Sequence, residues 1–259
     1  MLFYAKYARG YRQGSVNLAG RPPLETHKPE EVDTYEIGAK TRFYGTIPMT
    51  LNAALFYNDF TDQQLQMGYR NANGTGTSAI VNAGSSTIWG GELDVQVLLT
   101  ENLSLIASYA YLNTEVDELE FPELDPSVGD PSTVVITSAE GEPLPFAPEN
   151  QLVLTASYQL PLDPSLGNMT AAVTWSYSDH QQAVAEEVSP YYKMESYDLL
   201  NLNFNWVGML NSPLDLSLFA TNVTDEEYIT YLSGQWNQGY ESVQTGQPRM
   251  YGARLKYNF

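Results

Sequence analysis

The sequence contains no cysteine and only two histidines among its 259 residues. Without cysteine the chain can form no disulfide framework and has no thiol for nucleophilic chemistry. The two histidines, His27 and His180, cannot supply the ligand set of a His- and Cys-based metal site. The composition therefore excludes disulfide-rich scaffolds, thiol enzymes and structural zinc domains.

Long apolar segments are also missing. No stretch reaches the roughly 18 consecutive apolar residues that a transmembrane helix requires, and the mean hydropathy is only -0.30. A membrane protein built from strands would still fit this value, because only every second residue of each strand then faces lipid. Basic residues are scarce, with 12 Lys and Arg against 31 Asp and Glu, so we expect no nucleic-acid partner.

The C-terminal end of the chain carries the clearest positive pattern. Between Gln247 and Phe259, one series of residues is apolar or small and the intervening series is mostly polar. The first series is Tyr251, Ala253, Leu255, Tyr257 and Phe259, and the second is Gly252, Arg254, Lys256 and Asn258. A period of two that ends on a terminal aromatic is typical of the closing strand of an outer-membrane β-barrel.

The same alternation recurs upstream in several extended runs. They lie near residues 35–42, 92–97, 103–111, 152–158, 169–177 and 200–206. In the last run Asn201, Asn203 and Asn205 share one face, which would be costly in a dry core but not against water. A water-filled barrel lumen and a soluble β-sandwich are both compatible with this alternation.

The lengths of the connections favour the barrel. Short connections are predicted at residues 44–48, 100–102, 161–167 and 208–213, and long ones at 13–31, 67–86, 115–148, 181–195 and 221–247. The two kinds alternate along the chain, which a sandwich has no reason to do, whereas outer-membrane barrels have short periplasmic turns and long external loops. We therefore predict an all-β fold: an antiparallel transmembrane β-barrel segment of about ten strands.

Six segments together resemble one protein family, the TonB-dependent outer-membrane receptors, in the part that forms the C-terminal portion of the barrel. The segments, in family order, are Tyr7 to Arg12 with Gly14 and Asn17, Lys28 to Lys40, Ala54 to Gln64, Asn82 to Leu93, Ala220 to Tyr228 and Gly246 to Phe259. Each is weak alone, but the order of all six is specific. The resemblance implies import of scarce ligands, most often ferric siderophores, across the outer membrane of a Gram-negative bacterium.

The resemblance also defines what we expect outside this sequence. Family members begin with a secretory signal, a segment that engages the TonB-type energy-transducing complex, and a plug domain, followed by a barrel of roughly 22 strands. Residues 1–259 match only the last part of that barrel, so we expect a C-terminal portion with two unpaired sheet edges. The alternative is a small barrel of ten strands that closes on itself.

Candidate ligand contacts are aromatic residues near the bases of the external loops, because siderophores offer flat or apolar faces. They are Tyr191, Tyr192, Tyr231, Trp236 and Tyr240; the alternative for each is the aromatic girdle at the membrane boundary. Residues that match family motifs are interpreted as structural: Glu36, Gly38, Gly91, Glu92, Asn222, Asp225, Tyr228, Pro248 and Arg249. For Phe259, the resemblance implies recognition by the barrel-assembly machinery, and girdle packing is the alternative.

One predicted loop, at residues 115–147, is rich in carboxylates and contains no Lys or Arg. Three interpretations compete: a solvated external loop, a Ca²⁺ site that could also bridge to lipopolysaccharide, and a charge that repels anionic chelates. The Ca²⁺ candidates are Asp117, Glu118, Glu120, Glu123 and Asp125. No directly bound cofactor is otherwise expected, since iron would arrive inside its siderophore.

Enzymatic activity is not expected. A Ser-His-Asp constellation could use only His27 or His180, which both lie in or beside predicted loops, and no serine is singled out as a nucleophile. A passive porin and a membrane-embedded hydrolase are the alternative functions. The porin would require a constriction loop with opposed charged ladders, for which the predicted lumen charges are too few.

Overall fold

A ten-stranded antiparallel sheet dominates the chain. It is seen in a computed structural model that describes residues 1–18, 20–136, 138–186, 189–235 and 240–259. The strands of this sheet, here called the wall, are β1 Leu2–Arg12, β2 Glu30–Phe43, β3 Met49–Thr61, β4 Gly84–Leu98, β5 Leu103–Leu119, β6 Asn150–Gln159, β7 Asn168–Ser178, β8 Tyr197–Val207, β9 Leu214–Thr221 and β10 Met250–Tyr257.

Each wall strand pairs with the next along the chain, so the topology is a simple meander. The predicted all-β segment of about ten strands is confirmed. Within the described residues β1 and β10 are the two edges and the sheet is open, which does not agree with the alternative of a self-closed ten-stranded barrel.

The two faces of the wall separate the alternating residues as the sequence predicts. On the apolar face, Tyr109 of β5 is in register with Leu152 of β6, which pairs with Tyr177 of β7. On the polar face, the hydroxyls of Thr155 and Thr174 lie 2.9 Å apart. Successive side chains of a strand point to opposite faces. The register between two strands therefore determines which side chains are neighbours on the apolar face and on the polar face.

The asparagines of β8 lie on this polar face, where Asn203 and Asn205 bond to each other and Asn201 accepts from Asn222 N at 2.9 Å. The side chain of Asn205 donates to Asn203 Oδ1 at 2.5 Å, and Ser217 Oγ donates to Asn205 Oδ1 at 2.8 Å. Polar groups that bond to each other and remain accessible to water carry little desolvation cost. The three asparagines are therefore compatible with a face that meets water.

Four short connections lie at one end of the wall. They span residues 44–48, 99–102, 160–167 and 208–213, and two of them hold the 3-10 helices Pro164–Leu166 and Met209–Asn211. Asp163 caps the first of these helices, accepting a bond from Ser165 N at 2.9 Å, and the bonds from the side chain and the backbone of Ser165 lower the pKa of its carboxyl. Among the described residues, no helix is long and apolar enough to cross a membrane.

The long connections lie at the opposite end and contain strands of their own, which the sequence patterns did not predict. These strands are Ser15–Val16 with Thr26–His27, Gln64–Asn71 with Gly76–Asn82 and Gly129–Ile136, Gln181–Gln182 with Lys193–Met194, and Ile229–Gln235 with Tyr240–Thr245. We call this region the loop layer. It supplies the candidate site.

Candidate functional site in the loop layer

The first three long connections share one hydrophobic cluster. Its buried members are Leu24, Met67, Tyr69, Ala79, Val81, Ala83 and Leu124. Leu24 comes from the first connection, Leu124 from the third, and the rest from the second. Burial alone raises the pKa of the Tyr69 hydroxyl. Because each connection contributes apolar side chains that it could not bury alone, the three are held as one unit.

Two asparagines link the first and second connections of this unit. Asn17 donates to the carbonyl of Ile80 at 2.9 Å and accepts from Ile80 N at 3.0 Å. Its side-chain amide therefore makes the two bonds that a neighbouring strand would make to Ile80. Asn82 accepts from Lys28 N at 2.6 Å and donates to the carbonyl of Asp62 at 2.7 Å. Backbone groups outside the sheet are thereby satisfied by side chains.

The last two long connections form a second cluster. Ala183 and Met194 of the fourth connection pack with Leu232 of the fifth, and Ile229 lies against them. Ser189 Oγ also donates to the carboxylate of Glu241, which links the same two connections. These contacts join the fourth and fifth connections into one packed unit.

Between the third and fourth connections lies a polar cavity of about 270 Å³, here called the rim pocket. Its lining comprises Leu112, Asn113, Thr114, Pro143, Ala147, Glu149, His180, Gln181, Gln182, Tyr192 and Lys193. Amide, hydroxyl, imidazole, ammonium and carboxylate groups thus converge on one space. This mixture suits hydrogen bonding to a polar ligand rather than burial of an apolar one.

A hydrogen-bonded chain positions the imidazole of the rim pocket. Asn150 Nδ2 donates to Asp179 Oδ2 at 2.9 Å, and His180 Nδ1 lies 3.0 Å from Asp179 Oδ1. The bond from Asn150, and then those from the backbone and ring of His180, lower the pKa of the Asp179 carboxyl despite its partial burial. His180, which the sequence places in or beside a loop, stays about half exposed and lines the rim pocket.

An aromatic pair lies beside the rim pocket. The rings of Phe146 and Tyr231 stack at a centroid distance of 5.2 Å with an interplanar angle of 14°. Both remain exposed, at 41% and 46%, and Phe146 N donates to the carbonyl of the pocket residue Gln182 at 2.7 Å. The sequence pointed to Tyr231 but not to Phe146, whose position depends on a contact between distant loops.

The predicted ligand contacts therefore separate into groups. Tyr192 lines the rim pocket and Tyr231 belongs to the adjacent pair. Tyr191 and Tyr240 are exposed, at 67% and 56%, and neither is among the residues that line the pocket. Trp236 lies outside the described residues. Their roles in ligand contact remain predictions.

The predicted structural residues near β9 and β10 tie the two ends of the fifth connection. Asn222 is 3% exposed; its side chain accepts from Glu226 N at 2.8 Å and donates to the carbonyl of Gln247 at 3.0 Å. Asp225 accepts from Arg249 N at 3.0 Å and forms an ion pair with its guanidinium at 3.2 Å. Pro248, which precedes Arg249, is exposed.

Two glycines of the family motifs lie under aromatic rings. A Cβ at Gly38 would lie 2.5 Å from the ring of Tyr4, whose hydroxyl donates to Glu36 at 2.7 Å. A Cβ at Gly252 would lie 2.5 Å from the ring of Phe219. At both positions a larger residue would push a ring off its neighbouring strand.

The other motif residues have simpler surroundings. The side chain of Leu55 covers Gly91. Tyr228 stacks on Tyr197 at a centroid distance of 4.4 Å and also covers Gly246. Glu92 is exposed on the polar face. Phe259 is fully exposed and meets Tyr257 edge-on at 5.1 Å. Recognition of Phe259 by an assembly machinery stays a prediction.

The five Ca²⁺ candidates are not brought together. Asp117 and Glu118 are consecutive in β5 and so point to opposite faces; Asp117 accepts from Thr87 Oγ1 at 2.8 Å. Asp125 accepts from Ser127 N at 2.7 Å, and the bonds from Ser127 lower its pKa. Across the described part of the chain, no three acidic or histidine side chains converge as a metal site would require.

Comparison with known proteins agrees with this architecture. The family model described as TonB dependent receptor-like, beta-barrel matches residues 1–224. A relative named probable TonB-dependent siderophore receptor PiuA, from Acinetobacter baumannii, is 24% identical over 232 residues, which are 88% of this chain and 27% of that protein.

Solved structures give the same fold. The ferric yersiniabactin uptake receptor FyuA of Yersinia pestis superposes with a TM-score of 0.75 at 19% identity, covering 99% of this chain and 35% of that one. The siderophore receptor PiuA of Acinetobacter baumannii gives 0.68 at 19% identity, covering 98% and 32%. The chain thus spans only about a third of the length of the receptors it matches.

Proposed function

Because this chain belongs to the TonB-dependent receptor β-barrel family, we propose that it supplies barrel wall and external loops to an importer of ferric siderophores. The family consists of outer-membrane transporters of Gram-negative bacteria rather than enzymes, and the chain is an outer-membrane protein. The observation that carries the proposal is the family match over residues 1–224, which agrees with the open ten-stranded sheet.

In this proposal the apolar face of the wall meets lipid and the polar face lines the lumen. The short turns are then periplasmic and the loop layer is external. A plug and a TonB-type complex, which would act from the periplasm, belong to the proposed whole receptor. The wall and loops described above would capture the ligand but would not drive its passage.

Capture is assigned to the Phe146–Tyr231 pair and the rim pocket. The exposed stacked rings offer a flat surface to an organic chelate, and Tyr192 and Lys193 offer groups that bond to its polar edge. The acidic third connection adds selection by charge: Glu120, Glu123 and Asp125 would repel a strongly anionic chelate and tolerate a neutral or cationic one.

Uptake of ⁵⁵Fe tests this proposal. The complete gene product that contains this sequence would be expressed in a strain lacking its own siderophore receptors, and cells would be offered ⁵⁵Fe on neutral hydroxamate, cationic and anionic catecholate siderophores. We expect saturable uptake that favours the neutral or cationic chelates and disappears when tonB is deleted. Uptake that persists without TonB would instead indicate a passive porin.

Two substitutions place the ligand. Phe146→Ala should weaken binding by roughly tenfold, the upper range for loss of an aromatic contact, whereas Tyr44→Ala serves as an exposed aromatic control in a short turn at the opposite end of the wall. Equal effects of both changes would contradict the assigned capture surface.

The hydrolase alternative requires that the unsubstituted protein cleave an ester such as a p-nitrophenyl ester. If cleavage is observed, His180→Ala tests whether it depends on this imidazole.

A further inference from the structure

The rim pocket has room for one chemical group rather than for a whole siderophore. Its volume of about 270 Å³ lies just below the range of roughly 300–1,000 Å³ in which pockets hold drug-sized ligands. The pocket stands at the loop-layer end of three neighbouring wall strands: Thr114 belongs to β5, Glu149 precedes β6 and His180 follows β7. A group that enters it is therefore held between the third and fourth connections.

Several polar side chains of the pocket are free to bind a ligand. Among the described residues, the side chains of Gln181, Gln182 and Tyr192 have no hydrogen-bonding partner. A carboxamide presents a donor and an acceptor side by side, and a phenol hydroxyl can both donate and accept. These side chains match a ligand whose own groups both donate and accept, as alcohol hydroxyls do.

The charges around the pocket favour a neutral ligand. The lining contains one ammonium, Lys193, and one carboxylate, Glu149. The carboxylate of Asp179 lies 3.0 Å from the imidazole of His180, and the third connection is acidic and has no Lys or Arg between residues 115 and 147. A carboxylate or phosphate ligand would be repelled by this surplus of negative charge.

The polar face of the wall below the pocket is also uncharged. Along β6, β7 and β8, which are described throughout, that face carries no charged side chain, and its polar residues include Thr155, Ser157, Thr170, Thr174, Ser176, Asn201, Asn203 and Asn205. The polar face of β1 to β4 differs, because it carries Lys6, Glu36, Lys40, Glu92 and Asp94. A neutral ligand rich in hydroxyls would meet the same hydrogen-bonding groups in the pocket and along the strands below it.

The stacked rings of Phe146 and Tyr231 add a flat apolar surface beside these amides. Phe146 N donates to the carbonyl of Gln182 at 2.7 Å, which holds the rings next to a free carboxamide. Phe146 keeps this position in the left-handed region, at a φ of 59°, which a bulky residue rarely adopts. Backbone strain of this kind clusters at binding sites, where the geometry is needed.

We propose that the rim pocket binds a neutral pyranose, whose hydroxyls bond to the free amides and whose carbon face lies on the exposed aromatic pair. Each hydroxyl of a pyranose both donates and accepts, and one face of its ring presents C–H groups to an aromatic ring. The oxygens that bind iron in a ferric chelate can only accept, so they match the carboxamides less well. The inference rests on the proposed function for the external position of the pocket, and the pyranose is either part of a free saccharide or a substituent of a siderophore.

Saturation-transfer NMR of the complete receptor in lipid nanodiscs tests the site. The probes are the methyl glycosides of glucose, galactose and mannose, with glucuronate as an anionic analogue. We expect at least one glycoside to receive saturation, most strongly at the hydrogens of one ring face, and glucuronate to receive less. Replacing both Phe146 and Tyr231 by alanine should abolish the preference for one face.

Removal of one carboxamide gives the matched comparison. Gln182→Leu keeps a side chain of similar size and should raise the half-saturating glycoside concentration by roughly tenfold, as expected for the loss of one hydrogen bond. Gln66→Leu is the control, because Gln66 is exposed in the second connection and does not line the pocket. The migration of unheated samples in dodecyl sulfate gels would check the folding of each variant.

Two further probes separate the sources of the pyranose. Tighter binding of maltotriose than of methyl glucoside would identify a free saccharide. Tighter binding of a glucosylated catecholate siderophore than of its unglucosylated form would identify a substituted chelate.

Three results would overturn the proposal: no saturation of any glycoside, no greater loss in folded Gln182→Leu than in Gln66→Leu, or glucuronate bound as tightly as the glycosides. The last would indicate a carboxylate site at Lys193. Glycoside binding without TonB-dependent ⁵⁵Fe uptake would refute siderophore import and leave the pyranose site in place, so the two proposals can fail separately.

Discussion

The wall and the loop layer are stabilised in opposite ways. The wall is a continuous ladder of backbone hydrogen bonds, and its side chains on both faces remain largely accessible. The loop layer has only short paired strands but contains the hydrophobic clusters around Met67 and Met194. Among the described residues, every buried apolar side chain except Val116 lies in the loop layer.

This difference follows from the solvent on each side. A wall between lipid and water needs no apolar core of its own, because its apolar face is covered by the membrane. The loop layer stands in water and must bury apolar side chains within itself to become ordered. Ligand capture by a preorganised surface would therefore depend on the loop clusters, not on the wall.

The largest expected effect comes from removing the centre of the first cluster. Met67 is fully buried, so Met67→Ala should destabilise the loop layer by about 2–5 kcal/mol. Hydrogen exchange of residues 64–82 should rise while that of β6 to β8 stays unchanged. Ile80→Ala, at an exposed position of the same hairpin, is the control; exchange that rises throughout the wall would contradict the separation of the two regions.

A charge on the apolar face of the wall should have a comparable but global effect. Val173→Arg, at the middle of β7, should reduce the free energy of unfolding in vesicles by about 2–4 kcal/mol, whereas Ala172→Arg on the polar face should cost little. Urea unfolding followed by fluorescence measures both variants. Equal losses would mean that the two faces do not meet different solvents.

The junction of the two regions depends on Asn222. Asn222→Gly keeps the left-handed backbone, at a φ of 48°, but removes the side-chain bonds to Glu226 and Gln247, so a loss of about 1–3 kcal/mol is expected. Backbone hydrogen exchange at residues 223–230 should rise first as a result of this loss of stability. Asn168→Ala, at an exposed position of β7, should change nothing, and an equal effect there would remove the special role of Asn222.

The smallest expected effect is the dependence of the stability of the rim pocket on acidic pH. Because the pKa of Asp179 is lowered in the folded protein, its ionised form stabilises the rim pocket above the ordinary carboxyl pKa of about 3.9. That contribution should be lost as the pH falls through the lowered pKa. Asp179→Asn should weaken local exchange protection at pH 7 but not at the acid end, while Glu101→Gln in a short turn should behave like the unsubstituted protein.

The wall was predictable because its information is local. Alternation in β7 and β10 and the sorted connection lengths are legible within a few residues, and they lead directly to the sheet and its orientation. The six motif segments added the family. None of these features depends on which loops contact one another.

The loop layer was not predictable for the complementary reason. Phe146 stacks on Tyr231, and Leu24 packs in the same cluster as Met67, although the members of each pair are far apart in sequence. Such contacts leave no periodic pattern in the sequence. Carboxylates that cluster in sequence, such as Asp117 and Glu118, are separated by the strand that carries them. Residue type alone indicates the aromatic candidates, and among those that the structure describes only Tyr192 and Tyr231 lie at or beside the rim pocket.

The most direct test of the central claim uses the absence of cysteine from the chain. Single cysteines introduced along residues 169–177 would each carry a nitroxide, and their accessibility to oxygen and to a polar nickel chelate would be measured in vesicles. We predict a period of two, with oxygen favoured at positions 169, 171, 173, 175 and 177 and the chelate favoured between them. Equal accessibility at odd and even positions would contradict a wall between lipid and water.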